Sequence, residues 1–205
     1  MVVRVVNLEE LADYARLLSA AEREKAETMR NETLRARFVV SRGLRREMLA
    51  RATGRAAGEL QFVEKEEGKP RLMDAAGWDF NVSHAGDYVA VVLAREPVGI
   101  DLEEIRPVRE MPVLMRRYFH ADEVRAWEEL AEQAKEEGFF ALWSAREAAM
   151  KCCGLGLAQG LAATRVDPEF LHRPTARAVV GDEVVEVEKF DAPRGYVTVV
   201  GRKTG

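Results

Sequence analysis

Glu147 and Lys151 stand four residues apart in a segment, Phe139 to Gly154, whose other residues are mostly apolar. Phe140, Trp143 and Met150 recur near a helical period, and Phe139, Leu142 and Ala149 widen the stripe, so the segment reads as a mostly buried helix. Gly154 marks its end, and Lys151 falls near the negative end of the helix dipole. Taken alone, such a Glu→Lys pair is ordinarily a solvated surface pair, but a buried helix normally avoids charge. A second acidic set lies upstream, in Pro97-Val98-Gly99-Ile100-Asp101-Leu102-Glu103-Glu104. Its alternation is that of a strand, so Asp101 and Glu103 project to one side; alone they would be a polar strand face. Beside Glu147 they become three carboxylates that repel one another and raise their own pKa values unless a cation joins them. Mg²⁺ suits such oxygen ligands when substrate phosphates complete its sphere. Lys69, His84, Arg146, Lys151 and an arginine-rich helix are the candidates to meet those phosphates. Together they describe a metal-assisted site for a diphosphate-containing small molecule.

The elements that must position these groups follow from patterning. Val2 to Val6 predicts a strand, and Leu8 to Leu18 a helix capped by Asn7. Ser19-Ala20-Ala21-Glu22 is a capping box opening a helix through Met29. A longer helix runs from Glu32 to about Ala52 and closes near Gly54. Its apolar side is Leu34, Phe38, Val39, Leu44, Met48 and Leu49. Arg35, Arg42 and Arg46 share one further face, and Arg37, Ser41 and Arg45 the next. That is a solvated basic surface or, since arginine forks match phosphate oxygens, an anion-binding one. Leu60 to Val63 predicts a brief strand and Glu64 to Gly68 a charged turn. Phe80 to His84 and Tyr88 to Leu93 predict a hairpin about Ala85-Gly86-Asp87. Past the acidic strand come helices around Val113 to Tyr118 and from Asp122 to about Glu136, then the helix of Glu147. The tail ends in an antiparallel pair or meander through Val184, Val185, Val187 and Tyr196 to Val200. The expected fold is α+β, in two similar, pseudo-duplicated halves (1–97 and 98–205), each an antiparallel sheet with a long packing helix. The seam lies between Arg95 and Gly99.

Composition bounds the function. The chain has 205 residues, 47% hydrophobic and 32% charged, with a formal net charge of −4. Nothing global draws it to nucleic acid or membrane, so an anion site must be a local basic cluster. The acidic balance and the lack of interleaved aromatics on the arginine-rich helix argue against a nucleic-acid binder. The only cysteines, Cys152 and Cys153, are adjacent. They offer neither a disulfide framework nor metal-ligand spacing, and read as small apolar packing residues. With no signal-like start and no membrane-length apolar run, the expected location is cytoplasmic. His120 and His172 have no partners at ligand spacing and read as structural or surface residues; Trp143 reads as core.

Four blocks in order carry a family resemblance: Gly68-Lys69-Pro70, Phe80-Asn81-Val82-Ser83-His84, Val98-Gly99-Ile100-Asp101-Leu102-Glu103, and Trp143-Ser144-Ala145-Arg146-Glu147-Ala148-Ala149-Met150-Lys151. The exit Gly154-Leu155-Gly156-Leu157 continues the pattern. The chain resembles the 4′-phosphopantetheinyl transferases of the longer, Sfp type, which modify carrier proteins of peptide and polyketide synthesis. The resemblance implies an active site in the cleft between the two halves, with coenzyme A as co-substrate. By it, Asp101, Glu103 and Glu147 hold Mg²⁺, Lys151 contacts the phosphates, and Lys69, Ser83 and His84 bind the nucleotide end. Lys25 and Arg37 fall near positions that address the 3′-phosphate. The implied reaction moves the phosphopantetheine arm to a serine of an apo acyl, peptidyl or aryl carrier protein and releases adenosine 3′,5′-bisphosphate. Glu147 is the first candidate to accept the serine proton, with Glu123 in reserve. A monomer suffices, because the two halves would form their own cleft. The alternative is a non-catalytic CoA- or carrier-binding homologue. Two positions depart from the family pattern: Arg146, where lysine is usual, and Ala85, where serine or threonine is common.

Overall fold

Extended, β-branched sequence at the N-terminus forms β1 (Val2–Asn7) in the computed structural model, which describes residues 1–63, 69–74, 77–156 and 160–203. The expected Glu64 to Gly68 turn, with Gly68 of the first block, and Leu157 of the exit lie outside the described residues. The chain divides into two compact units, Met1–Glu96 and Pro97–Gly205, each with a hydrophobic core of its own.

In the first unit, Asn7 caps a single 3-10 turn (Leu8–Glu10) that leads into a short α1 (Leu11–Ala15), not one helix to Leu18. The helix packs at close range on the chain at Gly43, where a Cβ would lie 2.5 Å from the Tyr14 carbonyl oxygen. The predicted capping box opens α2 (Ala20–Thr28), with Ser19 accepting from the Glu22 amide. Asn31 caps α3 (Glu32–Thr53), and Gly54 ends it at φ 72°, a left-handed stop. After the small pair β2 (Phe62–Val63) and β3 (Arg71–Leu72) come β4 (Asp79–Ala85) and β5 (Tyr88–Ala94), a hairpin whose ends pair Ala85 with Tyr88. The main sheet is antiparallel, in the order β1-β5-β4, and the apolar side of α3 packs with it in one core.

The second unit begins with β6 (Val98–Glu104), followed by α4 (Met111–Tyr118), α5 (Ala121–Glu128) and α6 (Lys135–Cys153). The helix expected over Asp122 to Glu136 is therefore two pieces. The indole N–H of Trp127 donates to the Lys135 carbonyl at 2.8 Å, and Leu130 fills the space a Gly138 side chain would take. A continuous helix could not fold back to make either contact. Then come β7 (Thr164–Val166), β8 (Thr175–Val180), β9 (Glu183–Phe190) and β10 (Tyr196–Lys203). They join the first strand in an antiparallel sheet ordered β6-β10-β9-β8-β7, larger than the expected meander by β7 and β8. Helix α6 lies on this sheet, and its sides are buried nearly all round. Phe119, Phe139, Phe140 and Trp143 hold its N-terminal half, with ring centroids 5.3 to 6.2 Å apart; each such pair contributes about 0.5–1.5 kcal/mol beyond burial. Both units share an α+β plan: a strand, a long helix buried on an antiparallel sheet, and further strands.

Candidate active site

Two facing glycines set the site in the second unit. Gly99 on β6 pairs in register with Gly201 on β10. A Cβ on Gly99 would meet the Ala148 carbonyl oxygen at 2.1 Å and the Cys152 amide nitrogen at 2.4 Å, and one on Gly201 the Ala148 oxygen at 2.9 Å. Backbone of α6 thus rests directly on backbone of the sheet. Alternation along β6 turns Asp101 and Glu103 to the same face as Gly99, toward the helix. The ammonium of Lys151 lies 2.6 Å from Asp101 Oδ1 and 3.3 Å from Glu147 Oε2. One turn before Glu147 stands Trp143, whose indole N–H favours the charged form of the Glu147 carboxylate.

Charge is concentrated here beyond what Lys151 neutralises. Burial, then the charges of Asp101 and Glu147, push Glu103 up to about 7, against the lowering pull of Lys151 and Arg106. Burial and Asp101 also raise Glu147, although Lys151 and Trp143 oppose them. Burial would lower Lys151, but Asp101 and Glu147 outweigh it and hold the amine above its usual range, as an ammonium. Asp101 is only 2% exposed. Among the described residues, no three His, Cys, Asp or Glu side chains are gathered tightly enough to hold a metal ion as they stand.

Arg146 and Glu123 belong to a different structure. They are 1% and 0% exposed. Arg146 Nη1 donates to both Glu123 oxygens, at 3.0 and 2.7 Å, and Nη2 to the Leu161 carbonyl at 2.6 Å. Glu123 also accepts from the backbone N–H groups of His120 and Val166, at 2.7 and 3.1 Å. Glu123, the reserve proton acceptor, is therefore enclosed and engaged on both oxygens. A base must reach the proton it removes, and this carboxylate is turned away from any such role. Arg146 is likewise no surface cation for phosphates.

In the first unit, α3 presents its arginines in two ways. Arg45 and Arg46 are both 3% exposed and pair with Glu22, at 3.2 and 2.6 Å; Arg46 also donates to the carbonyls of Ala57 and Leu60. Of the expected Arg35/Arg42/Arg46 face, Arg35 is exposed, Arg42 half-buried and Arg46 buried. A cavity of about 440 Å³ is lined by Arg37, Phe38, Ser41, Arg42, Arg45 and His84, among others. Arg37 donates to the Gly86 carbonyl at 2.8 Å, while its Nε and the Ser41 hydroxyl are buried without a protein partner. An adjoining cavity of about 600 Å³ shares Phe38, Arg42 and Arg45 and includes Lys25, whose ammonium sits 5.6 Å from the centroid of the Phe38 ring. Lys69 is ion-paired with Asp79. Ser83 is buried and projects to the opposite sheet face from His84. The structure thus brings Arg37 and His84 to one cavity and Lys25 to its neighbour, but not Ser83. The Trp143–Glu147 proximity and the Glu22 anchor, both missed in the sequence, had the signal of i,i+4 spacing and of a capping box.

Residues 97–200 match the model of the 4′-phosphopantetheinyl transferase superfamily, and residues 7–97 that of 4′-phosphopantetheinyl transferase, N-terminal. The chain belongs to the 4′-phosphopantetheinyl transferase superfamily. The glycine-lysine-proline and histidine blocks fall in the first matched region, and the two acidic blocks in the second, so the resemblance that they carried is met across both. Among curated proteins, the chain is 34% identical to a putative 4′-phosphopantetheinyl transferase of Synechocystis over 72% of its own length and 61% of that protein's. It is 34% identical to the 4′-phosphopantetheinyl transferase HetI of Nostoc, over 73% and 65%. It is 28% identical to Sfp of Bacillus subtilis, over 75% and 68%. The chain thus spans a little under two thirds of the first two relatives.

Proposed function

We propose that this chain transfers the 4′-phosphopantetheine arm of coenzyme A to a serine of an apo carrier protein, with Mg²⁺, releasing adenosine 3′,5′-bisphosphate. The observation that carries the reading is the gathering of Asp101, Glu103 and Glu147 about Lys151. Three carboxylates against one ammonium leave an excess of negative charge, and burial together with that excess raises the pKa of Glu103 and of Glu147. Hard oxygen donors with a surplus of about two charges suit a divalent ion, so the residues fit Mg²⁺; the ammonium now beside Asp101 and Glu147 stands in for a cation. When bound, Mg²⁺ would neutralise diphosphate oxygens and act as a Lewis acid.

The chain's own groups supply the rest. Asp101, Glu103 and Glu147 would hold the ion. Lys151 would move from carboxylate to phosphate and stabilise charge on the leaving group. Glu147, raised toward neutrality, accepts the serine proton, through a bridging water where its oxygens are on the metal. Trp143 orients that carboxylate. The cavities of the first unit would take the nucleotide end, with Arg37, His84 and Lys25 addressing phosphate; the buried Arg37 Nε and Ser41 hydroxyl provide donors that a ligand oxygen could satisfy. Lys69 would help only if it left Asp79. The similarity to named phosphopantetheinyl transferases supports the reaction type.

Incubation with several apo carrier proteins, coenzyme A and Mg²⁺, read by intact mass, tests the reading: a carrier must gain phosphopantetheine. Glu147→Gln should lower turnover by about 10² or more while coenzyme A still binds within about threefold of the parent. Coenzyme A binding with no modification of any carrier would mean a non-catalytic homologue instead.

A further inference from the structure

Gly99 and Gly201 fix how closely α6 approaches the sheet, but a helix lying on two glycines can still turn about its axis. On its other side the helix is tied by Arg146. The Phe119 ring lies beneath that guanidinium, its centroid 4.8 Å from Cζ, and the fork reaches across to the chain returning through Leu161. Glu123 locks the arrangement, since its two other acceptor contacts go to the backbone of His120, before α5, and of Val166, on β7. Five hydrogen bonds thus join α6 to three other parts of the unit through one side-chain pair.

Arg146 immediately precedes Glu147, about 100° round the helix. A turn of 20° displaces groups at ~6 Å from the axis by about 2 Å, enough to part Lys151 from Asp101. We propose that Arg146 and Glu123 are a positioning pair, setting the rotation of α6 and hence the aim of Glu147 and Lys151 at the reacting groups. The inference rests on the transferase reading for its kinetic consequence, though not for its geometry. Stability alone does not require the pair, because well-packed apolar residues commonly replace a buried ion pair without loss. In this chain one nitrogen of the fork meets Glu123 and the other the Leu161 carbonyl, a geometry that a single ammonium does not reproduce.

The test uses the full chain and compares Arg146→Lys with the apolar double variant Glu123→Leu/Arg146→Met. Thermal midpoint, kcat, KM for coenzyme A and a crystal structure are measured. The double variant should melt within about 5 °C of the parent yet show kcat lowered about a hundredfold, KM within about threefold, and Lys151 no longer 2.6 Å from Asp101. Recovery of kcat along with the midpoint overturns the proposal, as does a rise in KM at unchanged kcat, which would put Arg146 on the substrate. Should the double variant not fold, Arg146→Lys decides: kcat down about tenfold at an unchanged midpoint supports positioning, and unchanged kcat overturns it. If the parent modifies no carrier, the transferase reading fails, and the crystal structures still decide whether the pair sets the helix.

Discussion

Lys151 neutralises only part of the carboxylate cluster, so its removal exposes what the cluster requires. In Lys151→Met, Asp101, Glu103 and Glu147 lose their nearest cation. The variant should melt below the parent in chelator, and Mg²⁺ should raise its midpoint more than the parent's. A ligand that binds only the folded state stabilises by about 2.7 kcal/mol at a hundredfold excess over its Kd, an easily measured shift. A thermal shift assay showing no greater response to Mg²⁺ than the parent would count against these carboxylates as the metal site. The three acids were legible in the sequence because strand alternation and helix position both marked them. Glu123 was not. As the third residue of α5 it makes a capping-box contact with His120, and a capping acid reads the same whether it faces solvent or, as here, a buried guanidinium. Arg146 carried the same ambiguity: its charge was visible and its direction was not, because direction depends on a helix and a strand brought from elsewhere in the chain.

At the scale of elements, the contact between β6 and α6 controls whether the site exists. Gly99→Ala would place a methyl 2.1 Å from a backbone oxygen and 2.4 Å from a backbone nitrogen of α6, and backbone cannot step aside as a flexible side chain can. Overpacking of this kind costs about 1–3 kcal/mol, so urea denaturation should show at least that loss. Gly156→Ala is the control, since a Cβ there meets nothing within 4 Å; its effect should stay within about 0.5 kcal/mol. Equal behaviour of the two would mean that α6 does not depend on this close approach. Periodicity found α2, α3, β4 to β6 and most of α6, because each buries one consistent face or carries its own cap. It failed over Asp122 to Glu136, where helix-forming residues run on without glycine or proline and only the Trp127–Lys135 and Leu130–Gly138 contacts impose the break. It also passed over β7 and β8. The former has three residues, and the latter, Thr175-Ala-Arg-Ala-Val-Val, is rich in alanine; pairing along the sheet, not propensity, makes them strands.

Across the whole molecule, the net charge of −4 lies in the second unit, while the first is balanced, with 16 basic and 16 acidic residues, and its arginines must be kept in place. Glu22 does much of that, facing Arg45 and Arg46 while its side chain is 14% exposed. Burial would raise its pKa, yet the Arg46 hydrogen bond, the Ser19 amide and the two guanidinium charges prevail and hold it below the ordinary 4.5. A carboxylate depressed on folding adds stability that is complete above its unfolded value and disappears as pH falls through the folded one. Glu22→Gln strands two buried guanidinium groups, a loss of about 3–5 kcal/mol near neutrality. The difference between parent and variant, from urea denaturation at a series of pH values, should therefore be largest at neutral pH and shrink below about 4.5. A difference that stays constant down the acid limb would mean that Glu22 acts by shape and not by charge. The same experiment bears on the basic cavities, since Arg45 lines both of them. If its guanidinium needs Glu22 to stay in place, a variant that still folds at neutral pH should bind coenzyme A more weakly while the carboxylate cluster of the second unit is untouched.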